Sequence, residues 1–166
     1  MQRKTIKLFI ITFTTTSFLL FGHPTSGQTA DTIERYVVAN VDIFIFSKNY
    51  QQHFFNFKKY FTPTRADVDI CEKYLKKDIN KLSKDKALQD SLKLISTDLS
   101  FYKRQYFGYV DEKGDEILFL FGIHQDKIGD FNDWGKELNV LLEAGRYSWS
   151  TKYNLTKKKF IFFGLN

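Results

Sequence analysis

Apolar positions along this 166-residue chain change their spacing from region to region, and each change marks a different kind of structure. Over residues 37–46 they read as a strand, with Val41, Ile43 and Ile45 on one face and Phe44 and Phe46 on the other. Lys48, Asn49, Tyr50 and Gln51 read as a turn. Residues 53–60 read as a returning strand with Phe55 and Phe57 on one side, the alternative being a short aromatic helix. Pro63 ends that segment, because the residue before a proline avoids helical geometry. Thr64 can accept the free N–H of Asp67, and the carboxylates of Asp67 and Asp69 suit the positive end of a helix. From there Val68, Cys71, Leu75, Ile79 and Leu82 recur every three or four residues, forming one apolar stripe with the charged residues lying away from it. A second, shorter helix is predicted over residues 85–95, with Leu88, Leu92 and Ile95 on one side.

From Leu99 the period becomes two. Strands are predicted over 101–110, 116–124, 137–143, 146–153 and 159–165, separated by polar or glycine-bearing turns such as Asp111 to Gly114. Ile117, Phe119, Phe121 and Ile123 share a face, Leu138, Val140 and Leu142 alternate, and Phe160 and Phe162 fall on one side of the last strand. Helices followed by short, turn-connected strands specify an α+β domain: one main helix plus a shorter helix packed on a curved antiparallel sheet of about four to six strands. The expected core joins the helix stripe to the face of Ile117, Phe119, Phe121 and Ile123, with Leu138, Val140, Leu142 and part of the Phe160/Phe162 strand.

The first residues follow another pattern. Arg3, Lys4 and Lys7 precede an uncharged run from Leu8 to Gly22, and Pro24, Thr25, Ser26 and Gly27 lead to Gln28. This is the build of a cleaved secretory signal over residues 1–27, since the apolar run of about 15 residues is shorter than the roughly 20 that span a bilayer. The expectation is a secreted or periplasmic protein, residues 28–166 forming a single domain with no membrane insertion after cleavage. Losing Arg3, Lys4 and Lys7 lowers the formal charge from +6 to +3. The remaining basic residues are interspersed with acidic ones, which argues against a nucleic-acid partner. Cys71, the single cysteine, leaves no internal disulfide and reads as a small buried hydrophobe on the main helix.

Phe61-Thr-Pro-Thr64 opens the helix, Tyr102-Lys-Arg-Gln-Tyr106 and Gly108 mark the first long strand, and Trp134 falls in a loop. Tyr147-Ser-Trp149, Asn154-Leu155 and Phe163-Gly-Leu-Asn166 close the chain. Over residues 61–166 this arrangement resembles small secreted bacterial proteins of unknown function, with a helix on a curved antiparallel sheet similar to the cystatin-like and NTF2-like shapes. The resemblance implies a shape and no activity. Cystatins place a Gln-x-Val-x-Gly hairpin in a protease cleft; this chain has no such pentapeptide, and its turns are Asp111–Gly114 and Ala144-Gly145.

Candidate chemistry is sparse. His53, His124 and Asp126 make a conceivable zinc set without short ligand spacing, so no metal and no cofactor are expected. No Gly-x-Ser-x-Gly elbow, catalytic Cys–His spacing or phosphate loop occurs. Tyr102 and Tyr106 share a face of one strand, and Tyr147, Trp149 and Tyr153 a face of another. Exposed flat rings stack on sugars or hold a peptide, so these five residues are the expected binding face of a non-enzymatic domain for a glycan, a peptide or an envelope protein. The alternative is a small curved-sheet enzyme using His124 oriented by Asp126, Asp115 or Glu143. The expected outcome for that alternative is an exposed His124 with no carboxylate within about 4 Å.

Overall fold

The computed structural model describes residues 33–51, 55–128, 137–138 and 141–166. The predicted leader, His53, and the loop residues Phe131 and Trp134 lie outside the described residues. The fold is α+β: among the described residues, seven strands form one curved, unclosed, mostly antiparallel sheet, with three helices.

Strands β1 (Ile33–Val38) and β2 (Val41–Phe46) form a hairpin through Ala39 and Asn40, both left-handed with φ of 48° and 66°. That is the geometry of a two-residue hairpin turn whose twist matches the flanking strands. The single strand expected over 37–46 is therefore two, because Ala39-Asn40 lacks the glycine that usually announces such a turn. The register runs from Ile33 opposite Phe46 to Val38 opposite Val41. Helix α1 (Lys48–Gln51) replaces the predicted turn. Its buried Gln51 donates from Nε2 to the carbonyls of Phe46 (2.7 Å) and Phe61 (3.1 Å) and accepts from the Gly108 N–H (3.0 Å), pinning three segments together. Of the returning strand expected over 53–60, the described residues keep only the two-residue β3 (Tyr60–Phe61), paired with Tyr109 and Gly108.

Helix α2 (Arg65–Asp78) begins where the sequence places it. The Thr64 hydroxyl accepts from the Asp67 N–H (3.2 Å) and Asp67 Oδ2 accepts from the Thr64 N–H (2.9 Å), satisfying two donors at the helix start reciprocally. Its stripe of Val68, Cys71 and Leu75, continued by Ile79, is fully buried. Helix α3 (Lys86–Thr97) is capped by Asp85 Oδ1, which accepts from the Ala87 N–H (2.9 Å), and buries Leu92 and Ile95. Strands β4 (Tyr102–Val110), β5 (Glu116–His124), β6 (Ser148–Asn154) and β7 (Lys159–Leu165) follow as an antiparallel meander. The sheet order is β1-β2-β4-β5-β6-β7, β3 lying beside β4, and β2 runs parallel to β4. The count among the described residues exceeds the expected four to six; β1, split from the strand expected over 37–46, is the edge strand that was not foreseen.

Three expectations are corrected. The strand over 137–143 does not form among its described residues: Leu138 and Leu141 pack on the sheet, whereas Leu142 is half exposed and Glu143 is left-handed. Phe160 and Phe162 do not share a face, because an irregularity at Lys152/Tyr153 places Phe160 opposite Tyr153 and Phe162 opposite Lys152. One extra residue, Ile161, flips the alternation. The helices also lie on the other side of the sheet from the one expected. They cover Ile43, Ile45, Tyr102, Tyr106, Leu118, Leu120, Trp149 and Tyr153. Phe44, Phe46, Phe107, Phe121 and Ile123 form a second apolar layer on the outer face, beneath Tyr50, Phe55, Ile128, Leu138 and Leu141.

Candidate functional site

Four of the five rings expected to form an exposed binding face are core residues. Tyr102, Tyr106, Trp149 and Tyr153 are each at most 1% exposed under α2 and α3. Their spacing is right, but the face they share is the one the helices occupy. The Tyr102 hydroxyl donates to the Arg146 carbonyl (2.8 Å) and that of Tyr106 to Glu72 Oε1 (2.6 Å). Trp149 Nε1 and the Tyr153 hydroxyl have no hydrogen-bond partner among the described residues. Tyr147, half buried in the turn just before β6, is flanked by Lys127 Nζ and the Arg146 guanidinium, 4.9 and 5.0 Å from its ring centroid.

Burial sets the acidity of these phenols. Desolvation, with the Asp98 charge, pushes Tyr102 up to about 12. Desolvation, with Cys71, Tyr74 and Asp78, does the same for Tyr153, also to about 12. Tyr106 is raised well above 10, first by burial and then by Glu72. The fold favours the protonated phenol, so this stabilisation is whole below pH 10 and is lost as pH rises from 10 through about 12. In an alkaline titration of the nine tyrosines, tyrosinate absorbance should rise in two stages, the second coinciding with loss of the circular-dichroism signal. A single stage with the fold intact would contradict this burial.

Among the core polar groups, Arg104 is 1% exposed on the helix-covered face of β4. Its Nη2 donates to the Leu99 carbonyl (2.6 Å) and its Nε stands 3.3 Å from Glu72 Oε1, the oxygen that accepts from Tyr106. Cys71 lies in the same region, its thiol pushed up by burial and then by the Glu72 charge, as expected of an inert, buried cysteine.

His124 departs from its expected exposure. It is 9% exposed, its Nδ1 accepts from the Asp126 N–H (3.4 Å), and the same atom lies 3.5 Å from Asp126 Oδ2. The rings of Phe101, Tyr102 and Tyr147 surround it at centroid distances of 6.0, 5.0 and 5.6 Å. Asp115 is not part of this group. It lies just before the opposite end of β5, bound by Lys157 Nζ and by Asn154 Nδ2 (3.0 Å), which hold its carboxyl below the usual range. Glu143 is exposed in the bend before β6. Among the described residues no three of His, Cys, Asp and Glu gather in a metal-binding arrangement.

A second aromatic assembly, half-buried except for the buried Tyr109 (7% exposed), lies on the outer face. Phe57 stacks on Tyr109 with centroids 3.9 Å apart and planes 7° from parallel. Phe55 links Phe57 (5.5 Å) to Phe119 (5.6 Å). Lys152 Nζ then lies among three rings, 5.1 Å from Phe119, 5.5 Å from Phe162 and 5.9 Å from Tyr109. Contacts at these distances draw the ammonium to the ring faces. The result is a belt from the segment before β3, across β4, β5 and β6, to β7. Phe162 at its end is 45% exposed. Beside Phe57 opens a recess of about 420 Å³, lined by Phe55, Phe57, Tyr60, Lys48, Lys58 and Lys59 among others. A smaller recess of about 170 Å³ lies between the end of α2 and the β6–β7 turn, with Tyr74, Asp78, Lys81 and Lys158 on its walls.

Sequence reasoning missed this belt because Phe119 was assigned to the core and Phe162 to the face of Phe160. The signal that could have found it is the pair Gly108 and Gly122, which share one face of the β4–β5 ladder. A Cβ at Gly122 would lie 2.4 Å from the Trp149 ring, so missing side chains mark the crowded, helix-covered face. Comparison with protein-family models, curated proteins and solved structures gives no match.

Proposed function

We propose that the chain is an exported, non-enzymatic binding domain, and that its contact surface is the outer-face belt of Phe57, Phe119 and Phe162 around Lys152, with the buried Tyr109 as the ring that joins Phe57 to Lys152. The observation that carries this reading is the continuity of the belt, ring to ring and ring to ammonium, over four adjoining elements. Its ligand is a glycan. The flat face of a pyranose ring stacks on aromatic rings, and a sheet face offers side chains only, its backbone groups being used in the ladder. A peptide would instead draw main-chain hydrogen bonds from a sheet edge. The recess beside Phe57 falls within the usual 300–1,000 Å³ of ligand sites. Export rests on the charge and hydropathy of residues 1–27.

Affinity electrophoresis of the purified protein through gels containing polysaccharides tests the reading. Phe162→Ala should weaken retardation about tenfold, the size of one lost aromatic anchor, with little change in stability because Phe162 is half exposed. Equal retardation of variant and wild type would remove the belt from the interaction. One observation favours an enzyme instead, the carboxylate of Asp126 beside His124. Aromatic rings fill the space around that histidine, and neither recess is lined by it.

A further inference from the structure

We infer that the ligand of the belt is an acidic polysaccharide, one whose carboxylate or sulfate groups enter the recess beside Phe57; this rests on the binding reading above. The recess presents Lys48, Lys58 and Lys59 with no carboxylate among its described lining residues. None of the three makes an ion pair among the described residues, whereas other basic groups near the sheet are neutralised. Arg35 and Lys103 share Asp42 (2.6 and 3.1 Å), Arg104 faces Glu72, and Lys157 holds Asp115. Three uncompensated ammonium groups around one concavity set up a positive potential that low-dielectric walls concentrate. The aromatic residues Phe55, Phe57 and Tyr60 on the same walls exclude water from one side of any bound anion, which strengthens its attraction to the lysines.

Lys152 adds a fourth cation within the belt itself. Its ammonium is held over ring faces rather than by a carboxylate, so it keeps its charge available to a ligand lying on Phe119 and Phe162. Charge is thus spread along the belt from the recess to the Phe162 end. That distribution fits a polymer with an acidic group on successive sugars better than a single terminal anion.

The test titrates the purified protein by isothermal calorimetry with alginate, dextran sulfate, hydroxyethyl cellulose and poly-L-glutamate. Alginate separates uronate carboxylates from the sulfate esters of dextran sulfate. Binding of either acidic polysaccharide, weakening with added salt, is the expected result. The variant Lys48→Ala/Lys58→Ala/Lys59→Ala should lose about tenfold or more in affinity and much of the salt dependence, and Phe162→Ala should also weaken binding. Hydroxyethyl cellulose bound as tightly, with the lysine variant unaffected and Phe162→Ala weakened, overturns the acidic assignment and leaves the belt standing. Poly-L-glutamate bound as well as the polysaccharides, with Phe162→Ala unchanged, means plain charge attraction and overturns the inference. Binding of none of the four overturns both readings.

Discussion

Glu72→Ala should cost about 3–5 kcal/mol of stability, as much as truncating a buried leucine of α2. Glu72 Oε1 faces Arg104 Nε at 3.3 Å and accepts from the Tyr106 hydroxyl at 2.6 Å. Arg104 is 1% exposed, so without that carboxylate its charge is left in the core with only the Leu99 carbonyl as a hydrogen-bond acceptor. Removing the cation instead is milder. In Arg104→Met an apolar chain of similar length fills the space, and Glu72, whose side chain is 16% exposed, can turn towards water. The double variant should therefore be more stable than Glu72→Ala alone. Urea midpoints at unchanged denaturant slope measure all three. A Glu72→Ala loss below about 0.5 kcal/mol, typical of a surface change, would refute the uncompensated-charge argument.

The second large effect is steric. Gly122 lies in β5 opposite Trp149 in β6, and a Cβ there would sit 2.4 Å from two atoms of the indole. Trp149 is wholly buried and also bounded by Tyr102 and Phe163, so its ring has nowhere to swing. Overpacking of this kind costs about 1–3 kcal/mol or more, and Gly122→Val should exceed Gly122→Ala. Because the clash belongs to one pair, Trp149→Phe should tolerate Gly122→Ala better than the wild-type protein does, a non-additivity readable in thermal melts. If Gly122→Ala alone melts with the wild type, the close approach is not a constraint on the fold.

These two positions also explain what could be read from the sequence. Helix α2 was legible because two independent signals agree: the Thr64–Asp67 cap and the stripe from Val68 to Ile79. Strand β5 was legible through its period of two and the flanking turn. The face it turns to the helices was not. Leu118 and Leu120 on one side and Ile117, Phe119, Phe121 and Ile123 on the other are all apolar, so alternation separates the faces without ranking them. Tyrosines add to the ambiguity because they suit a core with a polar exit as well as an exposed surface. The Tyr106–Glu72 bond is such an exit, and nothing local in β4 announces a carboxylate from α2. The extra residue in β7 was invisible for a related reason: the run from Phe160 to Phe163 is apolar throughout, with no breaker at Ile161. Of the rings proposed from the sequence as a surface, Tyr102, Tyr106, Trp149 and Tyr153 lie in the core; the belt proposed above is aromatic too, but it lies on the other sheet face and includes lysines that no periodicity singles out.

The parallel contact between β2 and β4 has a consequence for the order in which the molecule can be assembled. Every neighbour in the β4–β7 meander is also a neighbour in sequence, whereas the whole helical segment separates β2 from its partner. Ring closure over that distance carries an entropy cost that local pairing avoids. Pairing within the meander, and within the β1–β2 hairpin through Ala39 and Asn40, is therefore expected to precede the β2–β4 contact. The seam expected to close late is the one at which Ile43 and Ile45 meet Arg104 and Tyr106, so a long-range strand pairing takes the Arg104 charge out of water.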